Sequence, residues 1–95
     1  MSCRLVMLIA LLVVLPPLAG AVTADEAVRL RVLTCNIHHG EGTDGEFDLP
    51  RLAKVITDAR PDLVALQEVD NKTRRADGVD QAAKLGELTG LHARF

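Results

Sequence analysis

The chain has 95 residues, a formal net charge of −2 and an apolar fraction of 48%. This length accommodates one small domain at most, and the slightly acidic balance excludes a protein that depends on a broad basic face to bind nucleic acid. Phe47 and Phe95 are the only aromatic residues. Roughly 70 residues would remain without the first 24, and a single core of that size is marginal without covalent staples.

The first residues have the layout of a secretory signal peptide. Arg4 supplies a positive charge, Leu5 to Leu15 form an unbroken apolar run, and a proline pair follows. Small residues then provide cleavage sites after Ala21 or Ala24, so we expect residues 1–24 to be removed and the rest to be exported to the periplasm or the extracellular space. A membrane anchor is the alternative, but the run is shorter than the roughly 20 apolar residues that a spanning helix needs. Association of the exported protein with a membrane surface stays open.

The mature sequence begins with a predicted strand from Val28 to Asn36, where β-branched residues and a period of two favour extended structure. A glycine-rich loop from His38 to Glu46 follows. Asp48 is then a good N-cap for a helix whose apolar residues recur at helical spacing. These residues are Leu49, Leu52, Ala53, Ile56 and Ala59. The helix is expected to end before Pro61, because the residue preceding a proline is pushed out of helical geometry.

A second strand is predicted from Leu63 to Val69, and its nearly continuous apolar start is typical of a strand that is buried on both faces. The polar segment from Asp70 to Gly78 is predicted to be a loop. Asp80 then caps a second helix that ends at Gly90. The inward-facing residues of this helix are expected to be Ala82, Ala83, Leu85 and Leu88.

The order strand, helix, strand predicts two parallel strands joined by a right-handed crossover. Parallel strands share one carboxyl edge, where the ligands of open α/β sheets bind. Asn36 ends the first strand and Glu68 lies at the end of the second. We therefore expect these two polar side chains to lie close together at that edge.

The two cysteines are not expected to pair in the mature chain. Cys3 would leave with the signal peptide, so Cys35 would have no internal disulfide partner. In the predicted strand the Cys35 side chain points opposite to those of Thr34 and Asn36. We expect it to pack as a small apolar side chain rather than to act as a reactive thiol.

Three glycines, Gly40, Gly42 and Gly45, spell G-x-G-x-x-G, the pattern of loops that cradle a dinucleotide pyrophosphate. A dinucleotide-binding, Rossmann-like module is therefore an alternative interpretation. Its spacing fits poorly, because the last glycine of such a loop packs in the first turn of the helix, whereas Asp48 places the helix start beyond Gly45. The simpler expectation is a solvent-exposed turn.

The segments "TCNIHHG" and "PDLVALQEVD" together resemble the first two motifs of the endonuclease/exonuclease/phosphatase family of metal-dependent phosphoesterases. Asn36 matches the asparagine that commonly ends that family's first strand, and Gln67 and Glu68 match its Gln-Glu pair, whereas Cys35 stands where the family usually has an aromatic residue. The resemblance extends from Leu30 to Phe95, and "TRRADGVDQAAKLGELTG" looks like an exported bacterial branch. It implies an α/β fold, here the N-terminal β-α-β-α portion of a two-sheet α/β/β/α sandwich of the deoxyribonuclease type.

The resemblance also implies a hydrolase of phosphate esters that uses Mg²⁺ or Mn²⁺. The family residue that matches Glu68 binds the metal, and the one that matches Asn36 helps to hold metal-bound groups and phosphate, so we expect both to be catalytic and to contact the metal. Hard divalent cations prefer carboxylate and carbonyl oxygen. The substrate is left open between a phospholipid headgroup, an inositol or sugar phosphate, and nucleic acid. We expect a monomer with no stable protein partner.

Two further residues, His38 and Arg74, are candidates for contacts with substrate because both are predicted near the carboxyl edge. A zinc site at His38 and His39 is not expected. Neighbouring side chains on a strand or its extension point apart, and no third ligand is visible in the sequence.

The general base and general acid of the family lie in downstream Asp-Asn and Asp-His motifs, and the sequence holds neither motif. We therefore expect residues 25–95 to be the N-terminal part of a larger domain with half of the site, and an inactive truncated fragment is the alternative. Such a part leaves strand edges and one sheet face uncovered, so we predict that it aggregates or partly unfolds when alone.

Overall fold

The computed structural model describes residues 1–8 and 27–95, which form a small mixed α/β unit with a three-stranded sheet and two helices. The elements are β1 Ser2–Leu8, β2 Leu30–Asn36, a 3₁₀ turn at His38–Gly40, α1 Leu49–Asp58, β3 Leu63–Gln67 and α2 Gln81–Thr89. The expected cleavage sites, after Ala21 or Ala24, lie outside the described residues. Within residues 1–8 and 27–95, neither helix has the length and apolar character that are needed to cross a lipid bilayer.

The parallel pairing of β2 with β3 confirms the predicted parallel strands, with Val32 opposite Leu63 and Asn36 opposite Gln67. β3 ends earlier than expected, because Glu68 takes a φ of +55° that turns the chain out of the strand. Both helices begin as predicted: Asp48 and Asp80 accept hydrogen bonds from backbone N–H groups in the first turns of α1 and α2. Parallel pairing therefore brings the ends of both strands to one edge of the sheet.

The N-terminal strand β1 pairs antiparallel with β2 and places Cys3 opposite Cys35. These two cysteines form a disulfide bond. Facing positions of an antiparallel pair bring two side chains together, so the chain that retains its first residues holds this bond. The expectation that Cys35 has no internal partner concerned a chain without residues 1–24, and for that chain it stays a prediction.

The core lies between the sheet and the two helices. Its buried residues come from β2 and the residue that follows it, and from both helices: Leu33, Cys35, Ile37, Leu52, Ala53, Ile56 and Leu85. The predicted inner face of α1 is confirmed. In α2, however, Gln81 and Leu85 are buried, whereas Ala83 and Leu88 are exposed. Residues four apart share a helix face, so the buried Gln81 and Leu85 turn Ala83 and Leu88 away from the core.

The other face of the sheet is open within the described residues. Leu63, Ala65 and Gln67 are exposed, and Val64 and Leu66 are half-buried on the helix side. The expectation that β3 is buried on both faces is therefore wrong here, because the helices cover one face alone. Val6, Leu30 and Leu63 leave apolar surface on the open face, with 43%, 42% and 54% of their areas exposed.

Candidate functional site

The carboxyl edge of the sheet brings Asn36 and Glu68 into direct contact, as predicted. Asn36 Nδ2 donates to Glu68 Oε1 over 2.6 Å. Asn36 Oδ1 accepts from the backbone N–H of His38 at 2.9 Å, and this backbone donor fixes which end of the amide faces Glu68. In this arrangement Asn36 orients the Glu68 carboxylate through its NH₂ group, and its oxygen accepts one hydrogen bond from His38. The expected contact of Asn36 with a metal stays a prediction.

The backbone at this edge adopts conformations that L-residues rarely take. Six non-glycine residues in the described part of the chain have positive φ, and three of them are His38 at +44°, His39 at +45° and Glu68 at +55°. Left-handed backbone costs roughly 1–2 kcal/mol per residue. Such conformations persist where surrounding contacts impose them, and they concentrate at functional sites.

Three hydrogen bonds hold the strained turn in place. The backbone N–H of His39 donates to the carbonyl of Glu68 at 2.8 Å, and Gln81 Nε2 donates to the carbonyl of His39 at 2.6 Å. Gln81 Oε1 in turn accepts from the backbone N–H of Asp70 at 2.9 Å. Gln81 is 2% exposed, so one buried side chain joins α2 to the ends of both parallel strands.

The two histidines lie together, contrary to the sequence-based expectation. The rings of His38 and His39 have centroids 4.3 Å apart, and one ligand atom from each histidine and one from Glu68 all lie within 4.8 Å of one another. Side chains of neighbouring residues point apart in a strand, but two consecutive left-handed residues do not follow the strand rule. His39 Nε2 also contacts Glu41 Oε2 at 3.1 Å.

The second acid of the β3 terminus, Asp70, is turned into the fold. It is 6% exposed and accepts from Arg75 Nε and Nη2 at 2.6 and 2.9 Å and from Thr73 Oγ1 at 2.8 Å. Hydrogen bonding to Arg75 is the main cause that lowers the pKa of Asp70 from 3.8 to about 2, and burial opposes it. Asp70, and to a smaller extent Glu68, raise the pKa of Arg75.

Arg74 lies exposed in the same loop, and its contact with substrate stays a prediction. Sequence reasoning missed Arg75 and Gln81. The pattern gives no means of choosing between two adjacent arginines. For Gln81 a signal does exist, because a polar residue stands four positions before the buried Leu85, on the same helix face.

The glycine-rich loop keeps its backbone N–H groups for itself. The amide of Gly40 donates to Ile37, that of Gly42 to Glu46 and that of Gly45 to Gly42, over 2.8–3.0 Å. A loop that cradles phosphate presents such groups to the ligand. The geometry therefore gives no support to a dinucleotide-binding module at Gly40, Gly42 and Gly45.

Two cavities differ in their relation to this edge. A depression of about 490 Å³ adjoins His38 and is lined by Met1 and residues 41–45. Another cavity, of about 380 Å³, lies on the helix side among apolar residues such as Leu66, Leu85 and Phe95. Of these two cavities, only the first is lined by a residue of the carboxyl edge, which is His38.

The edge fits a hard divalent cation at one point. Glu68 is exposed, and among the described residues the structure gives its carboxylate one hydrogen-bond donor, Asn36, on Oε1.

Comparison of the chain with protein-family models, curated proteins and solved structures finds no match. Conclusions about function therefore depend on the chain's own residues.

Proposed function

We propose that the chain carries the metal-binding half of a divalent-metal-dependent phosphoesterase, a hydrolase that acts on phosphate esters with Mg²⁺ or Mn²⁺ at Glu68. The observation that carries this proposal is the 2.6 Å hydrogen bond from Asn36 to Glu68 at the carboxyl edge of two parallel strands. The resemblance of these residues to the endonuclease/exonuclease/phosphatase motifs supports the same conclusion.

Each residue of the edge has a distinct part in the proposed chemistry. A bound divalent cation neutralises charge on the phosphoryl oxygens. Glu68 would hold this cation through its carboxylate, and Asn36 keeps the carboxylate in one orientation by donating to Oε1. His38 is exposed at the same edge, where it would contact the substrate. Arg74 would add a positive charge from the neighbouring exposed loop.

We extend the proposal to the fold of the complete enzyme. The exposed apolar face that includes Leu30 and Leu63 is the surface on which the second sheet of a deoxyribonuclease-like α/β/β/α sandwich would pack. The general base and general acid would come from residues outside this chain. Within that arrangement the present residues supply one sheet, its helices and half of the site.

Export is part of the same proposal, with a phosphate ester outside the cytoplasm as the substrate and a monomer as the active form. The substrate class stays open between phospholipid headgroups, inositol or sugar phosphates and nucleic acid. Sequencing of the mature N-terminus tests export: the protein should begin at Val22 or Asp25, and a cytoplasmic protein that starts at Met1 would contradict it.

The test of activity uses the full-length gene product with a generic phosphodiester and a generic phosphomonoester in Mg²⁺. Glu68→Gln keeps the shape and hydrogen bonding of the side chain and removes its charge, so we expect kcat/KM to fall by about 100-fold or more. Glu87→Gln is the matched control, since Glu87 lies exposed on α2 and pairs with Lys84 at 2.8 Å. Full activity of Glu68→Gln would overturn the proposal.

A further inference from the structure

We infer that His38, His39 and Glu68 form a binding site for a borderline divalent transition metal of the Zn²⁺ class. The proposed phosphoesterase needs only a hard cation at Glu68, and such cations prefer oxygen ligands. Two imidazoles beside the carboxylate add nitrogen ligands, which suit Zn²⁺ and its neighbours among the first-row metals. The inference therefore assigns a different metal class and two additional ligands to this edge.

The spacing of the three side chains fits such a site. Their ligand atoms lie within 4.8 Å of one another. Two ligands bound at about 2.1 Å in tetrahedral geometry are about 3.4 Å apart, so each separation must shrink by at most about 1.4 Å, within reach of side-chain rotation. Two histidines and one glutamate, with a fourth position open to water or substrate, are a ligand set that catalytic zinc sites use.

Two of the three side chains already have the partners that metal ligands usually have. Ligating histidines donate their other ring N–H to a carboxylate or a carbonyl, and ligating carboxylates are themselves hydrogen-bonded. His39 Nε2 lies 3.1 Å from Glu41 Oε2, and the tautomer that donates there leaves its lone pair on Nδ1. Glu68 Oε1 accepts from Asn36 Nδ2 at 2.6 Å.

The backbone independently indicates a preorganised cluster. The side chains of all three residues depend on positive φ angles, and the carbonyls of Glu68 and His39 are fixed by hydrogen bonds from His39 and Gln81. A buried glutamine maintains this strain at a cluster in which His38 and Glu68 are exposed and His39 is half-buried, so packing alone gives no evident use for it. A metal ligand set gives this strain a function.

The decisive experiment measures metal binding by the intact chain. Zn²⁺ is titrated in competition with a chromophoric chelator, and Mg²⁺ is titrated by calorimetry. We expect one Zn²⁺ per chain, bound about 100-fold or more tightly than Mg²⁺. His38→Gln and His39→Gln should each weaken Zn²⁺ binding by about 100-fold, while Mg²⁺ binding changes by less than about threefold.

Two further variants keep the test decisive. His92→Gln is the matched control, because His92 is an exposed histidine of the C-terminal segment. This variant should bind Zn²⁺ as tightly as the wild type. Glu41→Gln changes no ligand and should weaken Zn²⁺ binding by about 10-fold or more, which separates a lost metal partner from a misfolded chain. Circular dichroism of each variant verifies its fold.

The inference shares Glu68 with the proposed function but does not depend on hydrolysis, so the two can fail separately. Tight Zn²⁺ binding that requires both histidines, in a protein without phosphoesterase activity, would support the site and overturn the proposed function. Zn²⁺ binding no tighter than Mg²⁺ binding, or equal in the wild type and both histidine variants, would overturn the metal site whatever the hydrolytic activity.

Discussion

Two carboxylates follow β3, and the fold treats them in opposite ways. Glu68 is exposed, and Asn36 donates to one of its oxygens, whereas Asp70 is buried and accepts from Arg75 and Thr73. Glu68 keeps coordination capacity for a ligand from solution. Asp70 has its capacity filled by the protein, so it contributes to the structure of the loop rather than to the chemistry of the edge.

The difference arises from what each residue is tied to. Gln81 fixes the backbone of Asp70 through two hydrogen bonds. The Asp70 N–H donates to the side-chain Oε1 of Gln81, and the backbone N–H of Gln81 donates to the Asp70 carbonyl at 3.1 Å. Glu68 is fixed through its carbonyl, which accepts from His39, and this leaves its side chain at the edge. Two acids that follow the same strand, separated by one residue, therefore need not serve the same site.

Breaking the link between the two regions should have the largest effect. Gln81→Leu removes the donor to the His39 carbonyl and the acceptor for the Asp70 amide. Buried groups that lose a partner cost about 1–3 kcal/mol each, so we expect the free energy of unfolding to fall by about 2–4 kcal/mol. Chemical denaturation measures it, and Ala83→Leu at an exposed position of α2 is the control.

Removing the charge of each acid in turn separates the proposed catalytic role of Glu68 from the structural role of Asp70. If the proposed function holds, Glu68→Gln should reduce kcat/KM of the proposed phosphoesterase by about 100-fold and leave the melting temperature within about 2 °C of the wild type. Asp70→Asn should do the reverse, with a clear fall in melting temperature and a smaller effect on turnover. Equal effects of the two substitutions on catalysis would remove the distinction between these acids.

The pH dependence of stability should report on Asp70. Arg75 lowers the pKa of Asp70 to about 2 from 3.8, so the charged form is favoured in the folded state. The stabilisation is then complete above about pH 4 and is lost as the pH falls towards 2. The difference in unfolding free energy between the wild type and Arg75→Gln should therefore be largest above pH 4 and shrink below it. A difference that stays constant from pH 5 to pH 2 would contradict this.

The smallest expected effect concerns the adjacent arginine. Arg74→Gln should leave stability unchanged, because Arg74 is exposed and Arg75 makes the ion pair with Asp70. If Arg74 contacts the substrate phosphate, KM should rise by about threefold, the scale of an exposed charge pair in water. An unchanged KM, measured beside Arg75→Gln, would remove Arg74 from the proposed site.

The sequence by itself determined the two helices, their caps and the pair of parallel strands, but not β1, which lies in the segment expected to be a signal peptide. Asp48, Asp80 and Gly90 mark helix ends through local hydrogen bonds and a left-handed glycine, and these depend on neighbours in the chain. Parallel pairing, and with it the meeting of Asn36 and Glu68, follows from the short crossover. Such features are predictable because the interactions behind them are local or are imposed by connectivity.

Only the tertiary structure decided which side chains share the site. His38 and His39 lie together because their left-handed backbone is held by hydrogen bonds that involve Glu68 and Gln81, residues 29 or more positions away in the printed sequence. The choice of Arg75 over Arg74, and the pairing of Cys3 with Cys35, likewise depend on distant contacts. A period or a propensity describes neighbours along the chain, whereas strained conformations and buried polar links are fixed by partners that folding brings together.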